Sequence, residues 1–223
     1  DLKLLLKLYL KNEGYEIISY YDVIDGIDVE SPVNPDIDRD KIVKYLIENV
    51  PGAKNFLDSK KISNIEKKLT DALSFFRLLV SNNKMLSAGI INYSSRFSGD
   101  PNSLSDDERV IFLKLLKSAQ DARLFPEKKG MRNILIFICD KLNDIPSWLL
   151  LENPLTKGID IKKPNKEERN RFMEVQMQRF YQKDEAVNEK EVMGMFADLT
   201  DGFVNQELEN LITISNQEKI HIN

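Results

Sequence analysis

The chain has 223 residues, of which 42% are hydrophobic and 30% are charged, so it is long enough to bury a sizeable globular core. Its 32 basic and 36 acidic residues give a formal net charge of -4, and it therefore lacks the basic field that drives nucleic-acid binding. The single cysteine, Cys139, and the single histidine, His221, exclude an internal disulfide, a cysteine-rich zinc site and the usual histidine triads.

The sequence carries no signal for a membrane or a secretory route. It has no run of about 18 apolar residues, and its charged, periodic start lacks the apolar core of a signal peptide. We therefore expect a cytoplasmic protein that binds neither membrane nor nucleic acid.

Helical and strand patterns alternate along most of the chain. Leucines at helical spacing ahead of Gly14 predict a first helix, and a run rich in Ile, Val and Tyr that closes on Asp25-Gly26 predicts a strand and a turn. In chain order the pattern predicts helix 2–12, strand 16–23, helices 38–50 and 62–80, strand 87–93, a helix capped by Ser105, strand 134–139, a short helix near 146–151 and strand 157–161. The strand over 134–139 is wholly apolar, which is typical of a parallel strand buried on both faces.

From Pro164 onwards the pattern is helical throughout, with helices predicted over 165–181, 188–199 and 205–215. The alternation before it favours a parallel sheet with helices packed on it, because parallel strands need long crossover connections. The sequence therefore predicts a three-layer α/β subdomain in residues 1–163 and a small all-helical subdomain in residues 164–223.

Several segments of the second half share their order and spacing with one known family. They are Pro146-Ser-Trp-Leu-Leu150, Ile159-Asp-Ile161, Pro164-Asn-Lys-Glu-Glu-Arg169, and the turn and helix that carry Thr200, Gly202, Phe203, Leu208 and Leu211. This series resembles the helix after sensor 1, the last sheet strand and the lid of the AAA+ ATPases, whose core is a P-loop NTPase fold. The resemblance implies that strand 87–93 stands at the Walker B place, strand 16–23 at the second-strand place and helix 2–12 directly after a Walker A loop.

The resemblance places the catalytic positions on residues that lack the family's chemistry. At the Walker B place, Asn92 and Tyr93 replace the acids that support magnesium and orient the attacking water, and tyrosine cannot act as a carboxylate base near neutral pH. Sensor 1 falls on Asp140, or on Cys139 in an ungapped alignment, and an aspartate there would repel a γ-phosphate. The acids of the family's site are therefore missing or misplaced.

Two further parts of that site have no match in the sequence. No G-x-x-x-x-G-K-[ST] segment exists, and its expected place lies just before Asp1, so the loop is outside this chain or the domain has none. The place of the arginine finger, residues 152–157, contains no arginine. Four parts of the family's catalytic site are thus absent or altered: the Walker A loop, the Walker B acids, sensor 1 and the arginine finger.

These observations favour a degenerate, non-hydrolysing AAA+ domain of a larger ATPase, with a role in assembly or regulation. We expect any affinity for ATP or ADP with magnesium to be weak, and we expect the partners to be other AAA+ domains or subunits in a homo-oligomer. Two alternatives stay open: an active AAA+ module whose P-loop lies outside this chain, and an α/β binding scaffold without nucleotide. The scaffold would use Asp22, Asp25 and Asp28 as a cation site at a strand end.

Overall fold

A computed structural model of the chain describes residues 2–34, 36–57, 68–151, 153–181 and 189–221. They form two compact units, Asp1–Gly158 and Ile159–Asn223. The first unit contains a sheet with helices on both faces, and the second unit is helical. The α/β fold with a helical carboxyl-terminal part is confirmed, whereas the division between residues 163 and 164 stays a prediction.

The elements of the first unit alternate as the sequence indicates. Its helices are α1 (Leu2–Asn12), α2 (Arg39–Asn49), α3 (Leu69–Ser81), α4 (Asp106–Asp121) and α5 (Ser147–Leu150). Its strands are β1 (Ile17–Asp22), β2 (Gly26–Glu30), β3 (Ser87–Ile91), β4 (Leu124–Phe125), β5 (Met131–Arg132) and β6 (Ile134–Phe137). Part of the predicted helix 62–80 falls on residues 58–67, which lie outside the described residues.

The central sheet has four strands in the order β2-β1-β3-β6. β1 pairs in parallel with β3, and β3 pairs in parallel with β6, which confirms the parallel arrangement predicted for these three strands. β2 is antiparallel to β1, a hairpin that the sequence analysis missed by assigning only a turn after β1. In β2 the apolar Ile27 and Val29 alternate with Asp28 and Glu30, which is the pattern of a half-exposed edge strand. β4 and β5 form a separate antiparallel pair.

Two expectations about strands are wrong. Residues 157–161 form no strand, and Ile159 and Ile161 are 80% and 69% exposed. A strand must pair its backbone N–H and C=O groups with a neighbour, and none of the described strands pairs with this segment. β6 is only half-buried along its length, because it lies at the end of the sheet and not in its middle.

Helices cover the two faces of the sheet through alternate residues of its strands. Odd-numbered residues such as Ile17 and Ile91 face α3 and α4, in a core that contains Phe76 and Phe112. Even-numbered residues, including those of β6, face α1, which packs through Leu6 and Leu10.

Gly89, in the middle of β3, lets α3 approach the sheet closely. A methyl group on Gly89 would lie 2.5 Å from Cδ2 of Leu135 and 2.5 Å from Cδ1 of Phe76. The Phe76 ring therefore occupies the space that a side chain at position 89 would need, which explains the glycine at this position.

Replacing Gly89 with alanine should destabilise the first unit by about 1–3 kcal/mol, because the core is overpacked between Leu135 and Phe76. Urea unfolding followed by the fluorescence of Trp148, which packs against this core, measures the change. Gly99→Ala is the matched control, since nothing lies within 4 Å of a methyl group there. Equal stability of the two variants would contradict the close approach of α3.

The buried side chain of Asn133 joins the amino ends of the parallel strands. Its carbonyl accepts the Ser87 N–H at 2.7 Å, and its amide donates to the carbonyls of Val80 at 2.8 Å and Asn82 at 3.1 Å. The Asn133 backbone N–H donates to the Arg123 carbonyl at 2.9 Å. One residue thus connects the end of α3, the loop after it and the first residue of β3.

Replacing Asn133 with alanine should lower the free energy of unfolding by at least about 3 kcal/mol, because several buried backbone groups lose their partners at about 1–3 kcal/mol each. Asn102→Ala, at an exposed position, should change it by less than about 0.5 kcal/mol. Chemical denaturation of both variants measures the difference, and a small effect of Asn133→Ala would mean that water replaces the side chain.

The second unit consists of α6 (Lys166–Gln176), α7 (Glu189–Leu199) and α8 (Asn205–Glu218). They surround a small core of their own, which contains Met173, Phe180, Val192, Phe196, Leu208 and Ile212. Capping boxes begin α6 at Asn165 and α4 of the first unit at Ser105, where the sequence shows a capping residue followed by glutamate three positions later.

Candidate functional site

The carboxyl ends of β1, β3 and β6 lie at one edge of the sheet, which is where ligands bind in open α/β folds. Backbone pairing continues past the strands at this edge. The Asn92 N–H donates to the Tyr21 carbonyl, and the Ile138 N–H donates to the Ile91 carbonyl, both at 2.9 Å. We call the segments held side by side in this way, residues 92–96 and 138–140, the carboxyl edge.

Asn92 and Tyr93, the residues predicted at the Walker B place, follow directly on β3. Asn92 is half-buried and Tyr93 is 53% exposed. Tyr93 has a left-handed backbone, with φ of 54° and ψ of 32°, so the strand ends at Ile91 and not at Tyr93. This conformation costs a residue other than glycine about 1–2 kcal/mol, and the carboxyl edge therefore stores strain at Tyr93.

Asp140, predicted at sensor 1, lies beside the turn that follows β3. Its N–H donates to Ser95 Oγ at 2.6 Å, and its Oδ2 lies 3.2 Å from Nη2 of Arg96. The side chains of this ion pair are 67% and 77% exposed, so water screens it and its contribution to stability is small. Arg96 thus places a positive charge beside the Asp140 carboxylate. No motif marks Arg96, because its place next to Asp140 depends on the pairing of β3 with β6.

Cys139, the other residue considered at sensor 1, is half-buried and packs partly against the core of α3 and α4. Burial raises the pKa of its thiol, and the nearby carboxylates of Asp144 and Asp140 raise it further. A thiol that stays protonated contributes no charge to the carboxyl edge.

A polar cavity of about 420 Å³ adjoins the carboxyl edge, and Arg96, Ser98, Glu108 and Asp144 are among its lining residues. Glu108 is occupied in capping α4, since its carboxylate accepts two hydrogen bonds from Ser105 and one from the Gly99 N–H. Those bonds hold the pKa of the Glu108 carboxyl below its usual value. Glu108, the residue at the start of α4 that lines this cavity, therefore acts as a helix cap.

Two of the three acids proposed for a cation site after β1, Asp22 and Asp28, already have partners within the protein. Asp22 Oδ1 accepts the N–H groups of Ile24 and Asp25, both at 2.8 Å, and Asp28 Oδ1 lies 2.7 Å from Nε of Arg39. Across the described part of the chain, no group of three His, Cys, Asp or Glu residues could hold a metal ion. This arrangement shapes a turn and gives the scaffold alternative no support.

Cations of the second unit line a cavity of about 580 Å³ at the start of α6. Arg169, which is 4% exposed, donates to the carbonyls of Pro164 and Ala197 and to the carboxylate of Asp201. Lys163 donates to the Gly202 carbonyl, and Lys166 pairs with Asp198. The arginine of the motif that opens the predicted lid therefore ties α6 to the end of α7.

The segment predicted to hold an arginine finger, residues 152–157, contains no arginine. It therefore offers no guanidinium that could reach across an interface. Asn153 and Thr156 bond to each other there at 2.8 Å, and Glu152 lies outside the described residues.

Within the described parts of the chain, none of the helices combines the length and the apolar character that a membrane span needs.

The parallel sheet, the helices on its two faces and the strand ends gathered at one edge define a Rossmann-like α/β domain. A family model described as AAA+ chaperone, N-terminal Rossmann-like domain, matches residues 1–162. The match covers most of the chain, so the chain belongs to this family of AAA+ proteins. No curated protein matches the chain.

Proposed function

We propose that this chain is a module of an AAA+ assembly that does not hydrolyse ATP and that helps to hold the assembly together or to regulate it. The observation that carries the proposal is the carboxyl edge, where the residues directly after β3 are Asn92 and Tyr93 and not acids. We propose that they occupy the places at which hydrolysis needs two carboxylates. Membership of the AAA+ family supports assembly with other AAA+ subunits. A homo-oligomeric state, a cytoplasmic location and a lid role for the helical unit belong to the same proposal.

The chemistry left at the carboxyl edge is that of weak binding. The neutral side-chain carbonyl of Asn92 is a poorer magnesium ligand than a carboxylate, and Tyr93 offers a hydroxyl in place of a base. Asp140 carries a negative charge that Arg96 balances only across an exposed pair. We therefore propose that ATP or ADP with magnesium binds weakly at Asn92, Tyr93 and Asp140.

A second candidate function is an active module whose phosphate-binding loop lies outside residues 1–223. The observation that favours it is β6, which pairs with β3 along one side and has no described strand on the other. This candidate needs its carboxylates elsewhere in the protein, because Asn92 and Tyr93 supply none at the end of β3.

The chain should release no phosphate from ATP with magnesium above the rate of a heat-denatured sample. Loss of a positioned base costs about two to four orders of magnitude, and loss of the phosphate-binding loop and arginine finger costs more. The double variant Asn92→Asp with Tyr93→Glu should therefore also stay inactive. A magnesium-dependent phosphate-release assay on both proteins measures this.

The matched control is Asn102→Asp with Tyr45→Glu, which makes the same change of charge at exposed positions on other elements. Robust turnover by the unmodified chain, insensitive to changes at Asn92, would show that the carboxyl edge is not the site. Sedimentation velocity with and without ATP tests the assembly role, and a strictly monomeric chain in mixtures with AAA+ subunits would contradict it.

A further inference from the structure

β2 pairs with β1 along one side, and none of the described strands pairs with its other side, which we call the outer edge. The Tyr21 carbonyl accepts a hydrogen bond from the residue after β3, so the backbone groups of Tyr21 point to β3. Backbone groups alternate in direction along a strand, and those of Tyr20 therefore point to β2. Because Tyr20 lies opposite Asp28, the backbone of Asp28 faces β1. The two neighbours of Asp28 present their N–H and C=O groups at the outer edge, and they are Ile27 and Val29.

The outer edge is short. Gly26 begins β2 with a φ of 78°, a conformation that favours glycine and is typical of a bulge. Pro32, two residues after the end of β2, has no N–H to donate. The backbone groups of Ile27 and Val29 are therefore the part of the outer edge on which another chain could add a strand.

The strand is unable to turn these groups away from the outer edge. The side chains of Ile27 and Val29 are buried in the core that also contains residues of α2 and α3. A rotation or a slip of β2 by one residue would bring them to the surface, so the core fixes the direction of their backbone groups. Protection of the outer edge has to come from side chains beside it.

Two side chains bind one backbone group of each outward residue. Arg39 Nη2 accepts no hydrogen bond but donates one to the Ile27 carbonyl at 3.2 Å, and Asp28 Oδ1 accepts the Val29 N–H at 2.9 Å. Asp28 Oδ1 also lies 2.7 Å from Arg39 Nε, so the two side chains hold each other across the outer edge. We call Arg39 and Asp28 the clasp.

The helix that Arg39 begins does not explain its place in the sequence. Arg39 is the first residue of α2, and a cation is disfavoured there because the amino end of a helix carries a partial positive charge. Asp38 caps this end and Asp40 lies in the first turn, and both acids suit the helix. Arg39 therefore serves a contact outside the helix, and the structure places its guanidinium on β2.

We propose that the clasp is an edge-protecting device, which keeps a second copy of this chain from pairing its β2 with the outer edge. Two copies of β2 can pair antiparallel about a two-fold axis, because each outer edge then offers the same donors and acceptors to the other. Such a pair needs the groups of Ile27 and Val29 that the clasp fills, so both clasps have to open first. The inference goes beyond the proposed function, since it involves neither nucleotide nor another AAA+ subunit.

The first test is sedimentation velocity of the chain alone, without nucleotide, over a range of concentrations. Arg39→Met keeps the apolar stem of the side chain and removes the guanidinium. This variant should associate at concentrations at least about tenfold lower than the unmodified chain, because pairing no longer breaks the hydrogen bonds of a charged group. Arg39→Lys restores a cation at the outer edge and should behave like the unmodified chain.

Arg77→Met is the matched control. Arg77 Nε lies 2.7 Å from a carboxylate oxygen of Asp121, in an ion pair between α3 and α4 that has the same length as the ion pair of the clasp. The substitution therefore removes an equivalent arginine from a place where no strand edge depends on it. It should leave the association of the chain unchanged.

Amide hydrogen exchange at single residues locates the contact. In Arg39→Met the amides of Ile27 and Val29 should exchange at least about tenfold more slowly as the concentration rises, because a second strand then accepts their hydrogen bonds. The amides of Asp28 and Glu30 face β1, and their exchange should not depend on concentration.

Asp28→Ala opens the clasp without a change in α2, and it keeps the test decisive if Arg39→Met fails to fold. It removes the acceptor of the Val29 N–H and the carboxylate beside Arg39, so it should shift association in the same direction. Urea unfolding of each variant establishes that it is folded before its association is compared.

Three results would overturn the proposal. One is that the folded clasp variants associate no more than the unmodified chain. Another is association that leaves the amides of Ile27 and Val29 fast, because the contact then lies elsewhere. The last is protection of these amides that already rises with concentration in the unmodified chain, since the clasp then fails to keep a second copy away. None of these measurements involves phosphate release or AAA+ partners, so their failure is distinguishable from failure of the proposed function.

Discussion

The hydrogen bonds of the Asn133 side chain fix the parallel sheet at its amino end, and the rest of the first unit depends on them. They join Asn133 to backbone groups at positions 80, 82 and 87, a segment distant from it in sequence that only the folded chain brings close. Because a buried backbone group without a partner costs about 1–3 kcal/mol, alternative pairings of β3 with β6 are strongly disfavoured. A slip of one residue would also turn the side chains facing α3 towards α1.

The register of β3 with β6 also determines which residues meet at the carboxyl ends of these strands. It places Ser94 against Ile138, and the turn after β3 then meets Asp140 through Ser95 and Arg96. The sheet fixes where the residues after each strand lie, while the identity of those residues can differ, so one fold can support different functions. The strain at Tyr93 lies on this turn and not within the sheet.

The sequence was informative wherever one pattern required one structure. The apolar stripe before Gly14 predicted α1, and Ser105 with its acids predicted the start of α4. The resemblance to the AAA+ family is confirmed over residues 1–162, whereas the lid motifs around Arg169 and Phe203 lie outside the matched residues. β2 was missed because its apolar and acidic residues alternate over only a short run after a turn. The strand predicted over 157–161 failed because a strand exists only with a partner, and local pattern does not report one.

By itself the sequence determined that the two residues directly after β3 are Asn92 and Tyr93 and not acids, whereas their assignment to the Walker B place stays a prediction. It also determined the small residue at position 89, although not the reason for it. Only the tertiary structure decided that Arg96 pairs with Asp140, that Phe76 fills the space above Gly89 and that β6 lies at the end of the sheet formed by the described strands. Each of these depends on contacts between segments far apart in the chain, and a local pattern of hydrophobic and polar residues cannot specify which segments meet.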